Sequence, residues 1–254
     1  MRSRLLDLRD CDDISFKRIN EEMRWINLME QPWWFRPIIK RNKFLQQYLD
    51  FDFWARQWEY PWAIKAAQMQ GGPLRILDVG GGGSPFAPYL ALKGHEVCVI
   101  DPSMNNHVGM GKSFGSRLVN FLLGITGIKR LWGNPCKSKT GRAHYFPYSA
   151  QDIKFPDKYF DVVFCLSVME HIPQEHWQRC MKEFERVMRP KGKLVITLDM
   201  GSTEADNRLY LKLTEMCSLK LIGDPHYDVP ISKRDKLVRH PGHAYETIGL
   251  LWRG

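Results

Sequence analysis

No run of this chain approaches the roughly 20 consecutive apolar residues that a membrane-spanning helix requires, so no span is expected. The opening stretch, MRSRLLDLRDCDD, becomes charged at once, which is not the pattern of a secretory leader. Cysteine is scarce and dispersed. Cys11, Cys98, Cys136, Cys165, Cys180 and Cys217 form no C-x-x-C pair, which argues against a zinc site and for free thiols in a reducing, cytoplasmic setting. Acidic residues are missing from Pro102 to Arg142, where seven basic ones occur: Lys112, Arg117, Lys129, Arg130, Lys137, Lys139 and Arg142. That stretch accounts for most of the net charge of +9. It suits contact with an anionic substrate, nucleic acid or a membrane surface, or is simply a solvated insertion.

What the chain does have is concentrated in LRILDVGGGGSPFAPYLALKGHEVCVIDPS, from Leu74 to Ser103. Residues 75–79 read as a buried strand. Gly80 to Gly83 then allow a tight turn and close approach of the backbone to a ligand. A short helix follows, with Pro88 in its first turn and Gly94 just past its end. Residues 97–100 are the next strand, and Asp101 stands at its C-terminal end, where a carboxylate in a parallel sheet can accept from ribose hydroxyls. The dinucleotide fingerprint needs a third glycine where this chain has Pro85 or Phe86, and no Gly-Lys-Ser/Thr follows the glycines directly. A phosphate-rich cofactor is therefore disfavoured. Asp78, two residues before Gly80, suits a cofactor with a charged amino group.

Asp78-Val79-Gly80-Gly81-Gly82-Gly83-Ser84 resembles motif I of the class I S-adenosylmethionine-dependent methyltransferases, D/E-x-G-x-G-x-G, with Ser84 in place of the last glycine. Three further segments support the resemblance in order. Residues 155–163 are similar to the family's F-P-D-x-x-F-D-x-V, residues 168–172 to its V-L-E-H-I/V turn, and residues 187–194 to its L-x-P-G-G-x-L. Together they cover about residues 74–200 and imply the small-molecule branch of the family. The implied fold is α/β: a Rossmann-like doubly wound sheet, mostly parallel, with a C-terminal antiparallel strand pair formed by residues 219–222 and 244–252. Residues 1–70 read as a helical, tryptophan-rich extension that serves as buttress or lid, and residues 71–254 as the methyltransferase domain with the basic insertion at 102–142. Six of the nine tryptophans lie in the extension, which shows no strand alternation and is expected to pack its rings on the body. A third strand is expected near 143–148, a fourth at 160–166 followed by a helix over 174–188, and a fifth at 193–198 with a helix over roughly 204–217.

The resemblance implies that S-adenosyl-L-methionine is the cofactor. By it, Asp78 and the backbone at Gly80 and Gly82 hold the methionine end, Asp101 takes the ribose, and Leu166 and Ser167 line the central portion. The family's adenine-contacting G-D-A falls on Tyr148, Ser149 and Ala150, so Ser149 replaces the usual acid and Gln151 or Asp152 is the substitute. Arg56 and Tyr60 are candidates to reach the cofactor carboxylate. His171 is the candidate general base, because imidazole titrates near neutral pH; the alternative is that Glu170-His171 only shapes its turn. Some quinone-pathway relatives hold a metal with E-x-x-E-H, but Ser167 stands three before Glu170, so no metal is expected.

The leading expectation is methyl transfer to oxygen or nitrogen of a small-molecule or biosynthetic acceptor, anionic or lipid-linked. A nucleic-acid-modifying or nucleic-acid-binding protein using the basic segment is the second reading. Residues 118–128, apolar and flanked by basic residues, allow a membrane-surface or lipid contact. A non-catalytic cofactor-binding scaffold is the remaining one.

Overall fold

The computed structural model describes residues 2–30, 33–42, 46, 56–105, 143–200, 209–223, 235–240 and 243–254. Its strands in chain order are β1 (Arg4–Leu5), β2 (Arg75–Val79), β3 (Glu96–Ile100), β4 (Ala143–Phe146), β5 (Phe160–Leu166), β6 (Met188–Met200), β7 (Lys220–Leu221), β8 (Leu237–His240) and β9 (His243–Arg253). The sheet runs in the order β1-β9-β6-β5-β2-β3-β4. From β4 to β6 every pairing is parallel, and β9 lies antiparallel on β6. The near-continuous apolar runs of β2, β3 and β5 follow from this position, since a central parallel strand is covered on both faces. The doubly wound, mostly parallel sheet expected from the sequence is present.

The expected antiparallel pair closes the far edge, with an addition from the chain start. Residues 219–222 contribute only the two-residue β7, which pairs with the last residues of β9. The same edge is continued by the chain start, where Arg4 faces Gly249 and Leu5 faces Ile248. Ser3 N–H donates to the Ile222 carbonyl at 2.8 Å and joins the two pieces. One composite edge strand thus comes from opposite ends of the sequence, and the first seventy residues are not free of strand. Two-residue pairings are too short to leave an alternating pattern. The fifth strand also starts earlier than expected. Pro190 to Gly192 form a bulge inside β6, with Phe160 paired to Met188 and Val162 already paired to Lys193. Of the expected helix over 204–217, residues Leu209–Thr214 are helical and those before 209 lie outside the described residues, as do residues 106–142 of the basic insertion.

Helices α1 (Leu8–Cys11), α2 (Ile14–Glu30) and α3 (Arg36–Arg41) lead to α4 (Arg56–Ala67), and α2 and α4 pack together. Trp58 and Trp62 of α4 are fully buried and stacked, with ring centroids 5.3 Å apart. They share one core with Ile76, Val97 and Val162 of the sheet. The aromatic set nevertheless divides, because Trp25, Trp33 and Trp34 are exposed. Beyond β2, α5 (Phe86–Leu92) packs on β3, and Gly94 at φ +93° ends it as expected. Under β5 and β6 lies α6 (Trp177–Val187), which buries Trp177, Cys180, Met181, Phe184 and Val187 on one stripe.

Pro61 lies inside α4 and has no N–H to offer the carbonyl of Gln57, four residues back. The buried Asn20 of α2 supplies the missing donor, its Nδ2 reaching Gln57 O at 2.9 Å. Asn20→Ala is expected to destabilise the protein by about 1–3 kcal/mol, the cost of an unpaired buried acceptor. Adding Pro61→Ala restores an N–H for the same carbonyl, so a double-mutant cycle by chemical denaturation should show compensation. Simple additivity of the two changes would contradict this account.

Candidate active site

The site forms at the C-terminal ends of β2, β3, β5 and β6. Gly80 takes φ +75°, and its N–H donates to Ile100 O at 2.7 Å, which ties the turn to β3. A Cβ on Gly81 would lie 2.0 Å from Asp78 Oδ2, and one on Gly82 would lie 2.5 Å from Asp101 Oδ2. The glycine run is therefore required twice over by the two carboxylates packed against it. Asp101 Oδ1 accepts from Ser103 N at 2.9 Å and Ser103 Oγ at 2.6 Å, and its own N–H donates to Phe146 O. Asp78 is buried, and its Oδ2 has no hydrogen-bond partner among the described residues. Burial, and then the nearby charge of Asp101, push its carboxyl up to about 7, with Arg56 pulling the other way.

A cavity of about 310 Å³ opens over this turn. Its wall includes Asp78, Gly80 and Ser84 from the turn, Leu166 and Ser167 from the end of β5, and Arg56 and Tyr60 from α4. Asn27 of α2 also reaches it. Tyr60 hydrogen-bonds Ser84 and packs on Phe86, which meets Phe164 of β5 edge-on. Thus α4 is stapled to the glycine turn as well as to the sheet.

Behind the cavity lies a buried polar network that sequence reasoning did not anticipate. Glu59 of α4 is completely buried and ion-paired with Arg56. Ser167 Oγ lies 2.5 Å from Glu59 Oε1 and 3.3 Å from Asp199 Oδ1. Ser167 sits at φ +48°, uncommon for a residue with a side chain, and its N–H donates to Thr197. Glu170 Oε1 accepts from Asp199 N at 3.1 Å, while its Oε2 is buried with no hydrogen-bond partner among the described residues. Burial works against the charge on Arg56, yet the charge of Glu59 and its neighbours holds the guanidinium protonated well above its usual range. Burial first, and then Glu59, push the Asp199 carboxyl up to about 6. Glu170 rises to about 8 through burial and then Asp199.

The structure thus brings Asp78, Gly80, Leu166 and Ser167 to one cavity, with Gly82 and Asp101 in contact beside it. Ala150 is buried in the core beneath the same strand ends. Ser149 Oγ accepts from Gln151 N within its own turn, and Asp152 is exposed and paired with Lys154. None of these three residues lines the cavity, and neither does His171, whose side chain is exposed on the turn of residues Met169–His171. A larger cavity of about 550 Å³ lies at the opposite edge, around Arg186 and Arg189, whose guanidinium groups are ion-paired with Glu183, Asp157 and Asp161.

The raised carboxyls have a consequence for stability. Between their unfolded values near 4 and about 8, the native state holds more protons at Asp78, Asp199 and Glu170 than the unfolded chain does. Stability therefore falls as pH rises through this window. The Tm is expected to be higher at pH 5.5 than at pH 8.5, and Glu170→Gln should flatten the difference. A Tm that rises with pH across this range would refute the assignment.

These features fit a known family. A family model described as a methyltransferase domain matches residues 43–222, well over half of the 254-residue chain. Among curated relatives, the ubiquinone/menaquinone biosynthesis C-methyltransferase of Vibrio vulnificus is 26% identical over 126 residues, 48% of this chain and 40% of that protein. The ubiquinone biosynthesis O-methyltransferase of Rickettsia bellii is 27% identical over 124 residues, 49% of this chain and 41% of that one. The chain thus spans about two fifths of the length of these relatives. Among solved structures, the 1,6-didemethyltoxoflavin-N1-methyltransferase of Burkholderia thailandensis, with S-adenosylhomocysteine bound, is similar at a TM-score of 0.49 and 14% identity, covering 85% of this chain and 88% of that one. On the family match, read together with the order of its sheet and its glycine turn, the chain belongs to the class I S-adenosylmethionine-dependent methyltransferases.

Proposed function

We propose that this protein transfers a methyl group from S-adenosylmethionine to an oxygen or nitrogen of a small organic acceptor. One observation carries the cofactor reading: Asp78 presents a buried carboxylate oxygen with no hydrogen-bond partner among the described residues, under a glycine turn where a Cβ on Gly81 would fall on that oxygen. Such a group is costly unless a cation meets it. An ammonium suits it, and the Arg56 guanidinium on the cavity wall suits a carboxylate, so the two together fit an amino-acid moiety. Asp101 is the ribose acceptor in this reading, and Ser149, Ala150 and Asp152 mark the adenine end. The curated relatives, named as a C-methyltransferase of ubiquinone and menaquinone biosynthesis and an O-methyltransferase of ubiquinone biosynthesis, support a small-molecule acceptor.

When bound, the cofactor supplies a methyl group already activated by its sulfonium. The protein's own task is to align the acceptor, exclude water and receive a proton where the acceptor carries one. In this reading Ser167 Oγ relays that proton, accepting it as it passes its own hydroxyl proton to the Asp199 carboxylate; it lies in the cavity wall and donates to Glu59 and Asp199. His171 is the alternative acceptor on the solvent side of the neighbouring turn.

Calorimetry with S-adenosylhomocysteine tests this reading. Binding is expected in the low-micromolar range or tighter, and Asp101→Ala should weaken it by at least about tenfold, the loss of a charge-assisted hydrogen bond. Because Asp78 must ionise to meet the ammonium, affinity should fall about tenfold per pH unit below 7, with one proton released on binding. Asp78→Asn should remove that dependence. Absence of binding at any pH would end the proposal.

A further inference from the structure

Indole rings are seldom left in water, and this chain leaves three of them there together. Trp25 is 54% exposed, Trp33 78% and Trp34 39%, with Ile38 at 47%. They flank the junction of α2 and α3. A guanidinium nitrogen of Arg36 donates to Met29 O at 2.8 Å, which ties the start of α3 to the last turn of α2. Trp25 lies one helical turn before Met29, Trp33 and Trp34 immediately precede α3, and Ile38 lies one turn beyond Trp34. The inward side of the same corner is filled, since Phe35 and Ile39 are buried. The outward rings are therefore surplus to the core.

Around Trp33, Trp34 and Ile38 the charge has one sign, whereas Trp25 stands one turn after Glu21 and Glu22, the latter paired with Arg18 and Lys93. No acidic residue occurs between Glu30 and Asp50, whereas Arg36, Lys40, Arg41 and Lys43 do. Lys40 and Arg41 are exposed in the last turn of α3. An apolar protein groove would account for the indoles and leave the cations unexplained. A surface with an apolar interior and an anionic rim accounts for both.

We propose that this corner docks the protein on an anionic membrane surface, with Trp25, Trp33, Trp34 and Ile38 entering the headgroup region and Lys40 and Arg41 meeting lipid phosphates. The contact is peripheral, because among the described residues no helix is long and apolar enough to cross a bilayer. Asn27 of α2 is part of the cavity wall. Trp25 leaves the same helix about 200° round from it, so the docking face is the outer side of a helix whose inner side meets the cavity.

Co-sedimentation of the full chain with vesicles decides the matter. Binding is expected to phosphatidylcholine vesicles that contain phosphatidylglycerol, not to phosphatidylcholine alone, and should weaken with salt. The double variants W33A/W34A and K40E/R41E should each lower partitioning by about tenfold or more. Both should keep the wild-type circular dichroism and S-adenosylhomocysteine affinity, because these side chains line no part of the cavity. Failure to bind either vesicle overturns the proposal. So does binding that survives both double variants and is lost only in K129E/R130E, which would place the contact in the basic insertion. Self-association without vesicle binding, abolished by W33A/W34A, would assign the face to a second copy of the chain. Vesicle binding that persists while no cofactor analogue binds would refute the methyltransferase reading and leave the docking surface standing.

Discussion

The geometry of the site depends on a hydrogen bond made out of reach of water, from Ser167 Oγ to Glu59 Oε1 at 2.5 Å. Ser167 ends the strand that walls the cavity, and it holds a left-handed backbone conformation that a serine adopts only when its surroundings enforce it. Glu59 enforces it from one side and Thr197 from the other. Glu59 is itself a fully buried carboxylate and needs a cation, which Arg56 supplies from the preceding turn of the same helix. The hydrogen bond therefore fixes where α4 must lie. That position in turn requires the stacked tryptophans, and the donor that Asn20 lends to the proline-interrupted helix. The front helices are in this sense part of the site's wall and not only its cover.

How much of this was legible in the sequence follows from where the information sits. The glycine turn was legible because sterics act locally: a run of residues without Cβ, with an acid two places before it, constrains what can fit there. The strands at 75–79 and 160–166 were legible because full burial leaves an unbroken apolar run. Glu59 was not. In Arg56-Gln57-Trp58-Glu59-Tyr60-Pro61-Trp62 a charged residue between aromatics reads as the solvent side of a helix, and its burial comes from strand ends more than a hundred residues away. The composite edge strand was hidden for a related reason, since its two pieces come from opposite ends of the chain. Counting aromatic rings also misled, because it treated all six front tryptophans as core. Trp58 and Trp62 are core, whereas Trp25, Trp33 and Trp34 are surface.

The balance of charge at the strand ends gives the site its character. Asp78, Glu59, Glu170 and Asp199 crowd one edge, and Arg56 is the guanidinium among them. Three of these carboxyls are pushed toward neutrality by burial and mutual repulsion, which is the behaviour of a site short of positive charge. A fold that needed this edge only for stability would do better with apolar residues there. The same arrangement becomes favourable when a ligand brings positive charge into it, because fixed groups in a dry site need no reorganisation at that moment. The more positive the ligand, the larger the gain. On the function proposed above, the cofactor's ammonium is the charge that meets Asp78, so the cost of burying these carboxyls and the binding of the cofactor are two sides of one balance.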